Sequence, residues 1–265
     1  MTKTVLITGA GGGLGAATAD IFTSNGWTVF AADVVPVNEG PGRHPLSIDV
    51  TSVESCEKAA TEIAQHCDGL DAVINFAGIL DVGSLVEVTE EQMRRIIDIN
   101  LLGTFRVNKA MFELVLARKG RIVNISSEAG RTPSGPIGGP YSISKHAVEA
   151  YSDSLRRELM FVGIPVIIVQ PGTFRTNMSG AIGERFQKAV HPGSVFASLV
   201  EKVAKEAVKE DAKAKDPGIL AKAVWDAVNS SKPKDRYAVG HNAASSVTTR
   251  LPARVFDSII KKTFS

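Results

Sequence analysis

Short apolar runs and amphipathic stretches alternate through the first two-thirds of the chain. Val5-Leu6-Ile7 predicts a strand, and residues 14–25 predict a helix that can bury Ala16, Ala17, Ala19, Ile21 and Phe22. A second strand is expected at 28–32, a weaker third at 44–48, a helix at 52–66 and a fourth strand at 72–74. Thr89-Glu90-Glu91-Gln92 has the form of a capping box, so a helix should follow to about residue 99. A further helix is expected over 101–118, a fifth strand over 121–125, a long helix over 141–162 and a sixth strand over 165–169. Beyond Pro171 the rhythm breaks, and residues 173–194 hold no clean period. Phe196, Leu199, Val200, Val203 and Ala207 then form one face of a helix whose other face carries Glu201, Lys202, Lys205, Glu206, Lys209 and Glu210. Such i,i+4 charge pairs mark a solvated face. A helix over 217–228 and a last strand over 237–239 complete the pattern.

The strands are apolar on both faces, as in a parallel sheet covered on each side. Strand–helix alternation at this spacing builds right-handed βαβ units. The expected fold is therefore α/β: a doubly wound parallel sheet of about seven strands with helices on both faces, a Rossmann fold. Without repeats or a linker, residues 1–265 read as one domain.

Between the first strand and first helix lies Thr8-Gly9-Ala10-Gly11-Gly12-Gly13-Leu14-Gly15. Glycines there admit positive φ and let backbone N–H groups approach a pyrophosphate at a helix N-terminus. The run fits T-G-x-x-x-G-x-G rather than G-x-G-x-x-G, and no Lys-Ser/Thr pair follows to make a P-loop. Asp33 closes the second strand, 18 residues after Gly15. A carboxylate there can bind the ribose hydroxyls of NAD and would repel a 2′-phosphate. Val34 and Val35 follow it and the loop holds no basic residue, so NAD is expected rather than NADP.

Composition changes this picture little. The chain is 44% hydrophobic and 22% charged, with formal net charge +2. That balance offers no electrostatic case for nucleic acid or an anionic membrane as partner. Cys56 and Cys67, eleven residues apart in one helical segment, suggest no disulfide framework and a reducing, cytoplasmic setting. The opening apolar run is too short for a signal peptide, and no run has membrane length. His44, His66, His191 and His241 show no ligand spacing, so no metal is expected.

Further segments then fall into order: Asn75-Phe76-Ala77-Gly78 after the fourth strand, Asn100 between two helices, Ser126-Ser127 after the fifth strand, Tyr141-Ser142-Ile143-Ser144-Lys145 opening the long helix, and Pro171-Gly172-Thr173-Phe174-Arg175-Thr176 after the sixth strand. Together with the glycine loop, they resemble the short-chain dehydrogenase/reductase family over residues 3 to about 178. The stretches around Tyr141 and Pro171 are similar to its retinol, 3-hydroxybutyrate and 17β-hydroxysteroid dehydrogenase branch. The resemblance implies hydride transfer between a nicotinamide and a secondary alcohol or ketone. It makes Tyr141 the acid/base, Lys145 the cation that lowers its pKa, Ser127 the substrate-oxygen donor (Ser126 the fallback) and Asn100 the holder of a relay water. Lys145 lies one turn from Tyr141, on the same helix face, whereas His146 is turned about 100° away.

The resemblance further places Gly9, Gly12, Gly13, Leu14 and Gly15 at the phosphates, Asp33 at the ribose, Asp49 and Val50 at the adenine, and Asn75, Ala77 and Gly78 along the adenosine ribose. Tyr141, Lys145, Pro171, Gly172, Thr173 and Thr176 would meet the nicotinamide half. Two departures stand out: Phe76 replaces the usual second Asn, and Ser127 lies 14 residues before Tyr141, one more than is common in the family. Residues 177–215 would form a lid, with Met178, Ile182, Phe186, Val190, Val195 and Phe196 as an apolar cover for a lipophilic substrate. Family members often assemble as homodimers or homotetramers through the helices that begin at Leu101 and Tyr141. A nonenzymatic NAD-sensing or scaffold protein on the same fold is the alternative, and would be expected to lose the Tyr or Lys. A nucleotide-sugar epimerase or dehydratase would need a longer C-terminal part.

Overall fold

The structure, a computed structural model, describes residues 2–176, 182–241, 248–249 and 251–265. Seven strands form one sheet: β1 Thr4–Thr8, β2 Thr28–Asp33, β3 Arg43–Ser47, β4 Ala72–Asn75, β5 Arg121–Ile125, β6 Val166–Pro171 and β7 Arg236–Val239. Their order is β3-β2-β1-β4-β5-β6-β7, and every pairing is parallel. In register, Ile7 faces Ala31 on one side and Ile74 on the other. The helices are α1 Gly13–Ser24, α2 Val53–His66, α3 Glu90–Ile97, α4 Gly103–Ala110, α5 Phe112–Ala117, α6 Gly139–Leu159, α7 Ile182–Lys188, α8 Ala197–Asp211, α9 Pro217–Asn229 and α10 Ala253–Phe264.

Alternate strand residues feed two cores. Val5, Ile7, Val29 and Ala31 pack with Phe22 of α1 and with Leu220 and Val224 of α9. Leu6, Phe30 and Ala32 pack on the opposite face with Ile63 of α2, Val107 of α4, Val115 of α5 and Leu159 of α6. Burial on both faces explains the continuous apolar runs. Pro45 sits inside β3, which its place at the sheet edge allows.

The chain runs from β1 outward through β2 and β3, then returns to β4 on the other side of β1. A crevice opens at the carboxyl ends of β1 and β4, where strand order reverses. The glycine loop and Asn75-Phe76-Ala77-Gly78 both emerge there. The capping box is present: Thr89 Oγ1 accepts from Gln92 N and Gln92 Oε1 accepts from Thr89 N.

Three elements differ from expectation. Asn100 does not separate two helices; it lies in a π turn, Asp98–Leu102, that carries α3 directly into α4. The expected helix over 101–118 divides at Met111 into α4 and α5. The aperiodic stretch after Pro171 contains α7, and α10 follows β7, its Val255, Phe256, Ile259 and Ile260 providing a helical spacing not read from the sequence. Among the described residues no helix is long and apolar enough to cross a membrane.

Phe22 stacks edge-on against Trp27 and Trp225, each at 5.0 Å, and locks α1 to α9 beneath the glycine loop. Phe22→Ala should therefore cost about 3–5 kcal/mol in urea denaturation. A loss under 1 kcal/mol would mean that this aromatic triad does not hold α1.

Candidate functional site

The crevice is a cleft of about 670 Å³ running from Asp33 and Asp49 at one end to Ser127, Tyr141 and Lys145 at the other. The glycine loop forms its floor. Gly9 has φ +69°, and a Cβ there would meet Ala77 N at 2.8 Å. A Cβ on Gly15 would stand 2.2 Å from the Gly9 carbonyl oxygen, so α1 can start this close to β1 only with glycine. Helix α1 has no side-chain cap and no acidic residue in its first turn. Its leading N–H groups, at Gly13, Leu14 and Gly15, are thus available to an anion. Gly12 has open space where a Cβ would project, with no atom nearer than 3.5 Å. This uncapped, glycine-floored cradle fits the pyrophosphate of a dinucleotide.

Asp33 Oδ2 accepts from Gly11 N at 2.9 Å and Oδ1 from Val35 N at 3.3 Å. A carboxylate has about four acceptor positions, so ribose hydroxyls still find sites on it. Asp49 accepts from the Thr51 hydroxyl at 2.7 Å and the Thr51 N–H at 2.9 Å, and these bonds hold its carboxyl below the usual range. Val50, Ala77, Gly78, Pro171, Gly172, Thr173 and Thr176 also line the cleft.

Asn75 does not line it. Its amide donates to Asn108 Oδ1 at 2.7 Å and Asn124 Oδ1 at 2.9 Å, and Asn124 in turn donates to Ser152 at 2.9 Å. Asn75 points into the buried helix-facing side of the sheet, so the expected contact with the adenosine ribose is corrected. Its network ties β4 and β5 to α4 and α6 and so sets where α6 lies. At the far side of α6, Glu149 accepts from Gln170 at 2.8 Å and from Arg236 at 3.0 Å.

Helix α6 carries Tyr141 and Lys145 on one face, both lining the cleft. The Lys145 ammonium lies 5.7 Å from the Tyr141 ring centroid and donates to the Ile125 carbonyl at 3.0 Å. Burial lowers the Lys145 pKa to about 8, against a smaller raising effect of Glu149. Burial also raises the Tyr141 pKa, and its hydrogen bond with Ser127 partly offsets this. Ser127 thus faces the phenol, whereas Ser126 is buried and donates to the Lys145 carbonyl at 3.4 Å. His146 is exposed and bonded to the Ser142 carbonyl through Nδ1, off the Tyr–Lys face.

Asn100 sits behind Lys145. Its Oδ1 accepts from Ile79 N at 2.8 Å, while Nδ2 donates to Ile79 O and Ser144 Oγ, each at 2.9 Å. The side chain is committed to these bonds, which pin the loop after β4 to the π turn and to α6. Gly78 lies at this junction: a Cβ there would come within 3.2 Å of Asn100 Oδ1 and 3.6 Å of Lys145 Nζ.

Over the Tyr141 end, α7 and α8 bring Ile182, Arg185 and Asp211 to the cleft. Phe186 and Val200 pack with Val82 and Ile137, with Val190 and Phe196 beside them. Val195 is 84% exposed and takes no part in this cover; Met178 lies outside the described residues. Arg185, Asp211 and Thr51 were not anticipated: Arg185 falls in the aperiodic stretch, Asp211 ends a helix whose charges read as a solvated face, and Thr51 is a loop hydroxyl. Cys56 and Cys67 are both free, and no metal-type cluster occurs among the described residues.

The family model described as short chain dehydrogenase matches residues 3–186. An NADPH-dependent 3-dehydrocapnine reductase from Ornithobacterium rhinotracheale is 31% identical over 97% of the chain and 95% of that protein. Retinol dehydrogenase 7 from Mus musculus is 39% identical over 67% of the chain, which spans only 58% of that relative. Among solved structures, a short-chain dehydrogenase from Streptomyces avermitilis superposes with a TM-score of 0.78 at 26% identity, covering 99% of this chain and 95% of that one.

The buried ammonium has a consequence for stability. The folded protein holds Lys145 at about 8 and the unfolded chain at 10.5, so between these values the unfolded state binds more protons. Stability from this group is therefore lowest below pH 8 and is regained as pH rises to 10.5. Lys145→Met should consequently stabilise the protein most at pH 7 relative to wild type. That difference should shrink by about 1.4 kcal/mol per pH unit above 8 in chemical denaturation. A difference independent of pH would mean that Lys145 titrates normally.

Proposed function

This chain belongs to the short-chain dehydrogenase family, and from that premise we propose that it is an NAD-linked enzyme interconverting a lipophilic secondary alcohol and its ketone. The observation that carries the reading is the meeting of Ser127, Tyr141 and Lys145 at one end of a cleft whose other end holds Asp33. When bound, the dinucleotide supplies or takes up the hydride at its nicotinamide ring. The remaining work falls to the chain. Tyr141 gives a proton to the carbonyl oxygen in reduction and removes it from the hydroxyl in oxidation. Ser127 donates a hydrogen bond to the same oxygen and steadies charge that develops there. Lys145, when protonated, lowers the cost of the phenolate, and the positive ring of the oxidised cofactor acts in the same direction. Asn100 acts as a brace, holding the Ile79 backbone against Ser144 and so keeping Gly78 beside Lys145.

Asp33 supports NAD. Its carboxylate lies at the ribose end of the cleft with free acceptor capacity, and a 2′-phosphate there would meet a like charge. One relative is named as NADPH-dependent, so the preference is read from this chain's own residues. Residues 177–215 act as the lid of a single domain. Leu80, Phe174 and Ile182 lining the cleft beneath it suit a hydrocarbon substrate. Exposed Leu102, Phe105 and Ile143 lie in the two helical segments named above as the assembly surface, which favours a closed homodimer or homotetramer. Two unpaired cysteines agree with a cytoplasmic setting. Retention of Tyr141 and Lys145 in the cleft argues against a nonenzymatic NAD-sensing or scaffold role.

A panel of sterols, retinoids, hydroxy acids and terpenoid alcohols, followed by NADH absorbance, tests the activity. On the best alcohol of that panel, Tyr141→Phe should lower kcat by about 10²–10⁴-fold and leave the NAD Kd unchanged. Turnover surviving in that variant would remove the phenol from the mechanism. Asp33→Asn keeps the size and one acceptor but not the charge. Its ratio of kcat/KM with NAD to that with NADP should fall by about tenfold or more, one charge-assisted contact being worth roughly 1.5–3 kcal/mol. An unchanged ratio would place cofactor choice elsewhere.

A further inference from the structure

Two charged side chains of opposite sign line the cleft without a counter-charge among the described residues. Arg185, from α7, donates through Nη1 to the Leu80 carbonyl at 2.7 Å, but its buried Nε has no acceptor. Asp211, at the end of α8, has a buried Oδ1 with no donor. Both line the cleft, and no ion pair joins them to each other or to another described residue. Each half-buried group thus keeps one buried atom unsatisfied, which is costly and points to something that completes the pair.

Their place is the catalytic end. Ile79 is clamped by Asn100, and the neighbouring Gly78 lies beside Lys145. Leu80 is two residues beyond Gly78, a reach of about 7 Å at most. Phe186, next to Arg185, packs in one cluster with Val82 and Ile137, the latter four residues before Tyr141, so this end of α7 covers the Tyr141 side of the cleft. Helix α7 runs against α8 there, Gly183 lying 4.0 Å from Val208 when a Cβ is built on it, which brings Asp211 to the same region.

We propose that Arg185 and Asp211 read the head of the substrate: an amphiphile carrying both an acidic group and an amine within a few bonds of the reacting carbinol or ketone carbon. Arg185 offers its planar fork to a carboxylate or sulfonate. Asp211 accepts from the ammonium. Leu80 and Ile182 take the start of the hydrocarbon. A dinucleotide phosphate would answer Arg185 but leave Asp211 unmatched. This assignment rests on reading the cleft as a substrate site, and it narrows the lipophilic class above to amino-acid-headed chains.

The test is calorimetric titration of three matched probes, 2-aminodecanoate, decanoate and decylamine, with and without NAD. The zwitterion should bind wild type about tenfold tighter than either singly charged probe, the ratio expected for one charge-assisted contact. Arg185→Met should reduce 2-aminodecanoate to the affinity of decylamine, and Asp211→Asn should reduce it to that of decanoate. Arg185→Lys, which keeps charge but not the fork, should fall between wild type and Arg185→Met. The NAD Kd should stay within about twofold throughout. Equal binding of the three probes by wild type, or no binding of 2-aminodecanoate, overturns the proposal without any variant being needed. A weakened NAD Kd in Arg185→Met would assign the guanidinium to a cofactor phosphate instead. Heat, not turnover, is read, and none of the probes carries a carbinol, so the hydride-transfer reading stands or falls separately on the alcohol panel above.

Discussion

The structure depends on the burial of one ammonium group. Lys145 enters a region that lowers its pKa to about 8, and its hydrogen bond goes to the Ile125 carbonyl at the end of β5. A hydrocarbon side chain in that place would be simpler to accommodate. Keeping a cation there requires that α6 be fixed against the sheet with little play. The Asn75–Asn108–Asn124–Ser152 network does this on one flank and the Glu149–Gln170–Arg236 group on another. The Asn75 network and the Glu149–Gln170 bond are buried, where their geometry is least forgiving, while Arg236 reaches Glu149 from the partly exposed edge.

The second constraint lies across the cleft. Gly9 and Gly15 approach so closely that side chains on either would displace the backbone, which lets α1 open directly off β1 with its N–H groups uncapped. The helices that bury both strand faces also bring this cradle and the Tyr141 face to one crevice. Fold and site are thus parts of one arrangement: the strand-order reversal makes the crevice, the glycine loop floors it, and α6 walls its far end.

Much of this was legible in the residues. Glycines between an apolar strand and an amphipathic helix have few other uses, and Asp33 at a strand end follows from them. Tyr141 and Lys145 at helical spacing predict a shared face, which the geometry carries. What was hidden required three dimensions. Asn75 sits in a turn motif that suggests contact with a ligand, yet its amide is taken up in the interior by Asn108 and Asn124. Asn100 looked like a junction because residues 99–101 break the apolar period, and the break proves to be a π turn tied down by Ile79. Val195 matched an apolar cover by type alone and faces solvent. Arg185 and Asp211 were unreadable because their significance lies in lacking partners, a property of packing rather than of order along the chain.

The most direct test of the account is a crystal structure of the protein soaked with NAD. The adenosine ribose hydroxyls should lie on Asp33, the pyrophosphate over the first turn of α1, and the nicotinamide ring opposite the Tyr141 hydroxyl with Ser127 beside it. A dinucleotide lying in the reverse direction, or a ring turned away from the phenol with Lys145 serving only the Ile125 carbonyl, would contradict it.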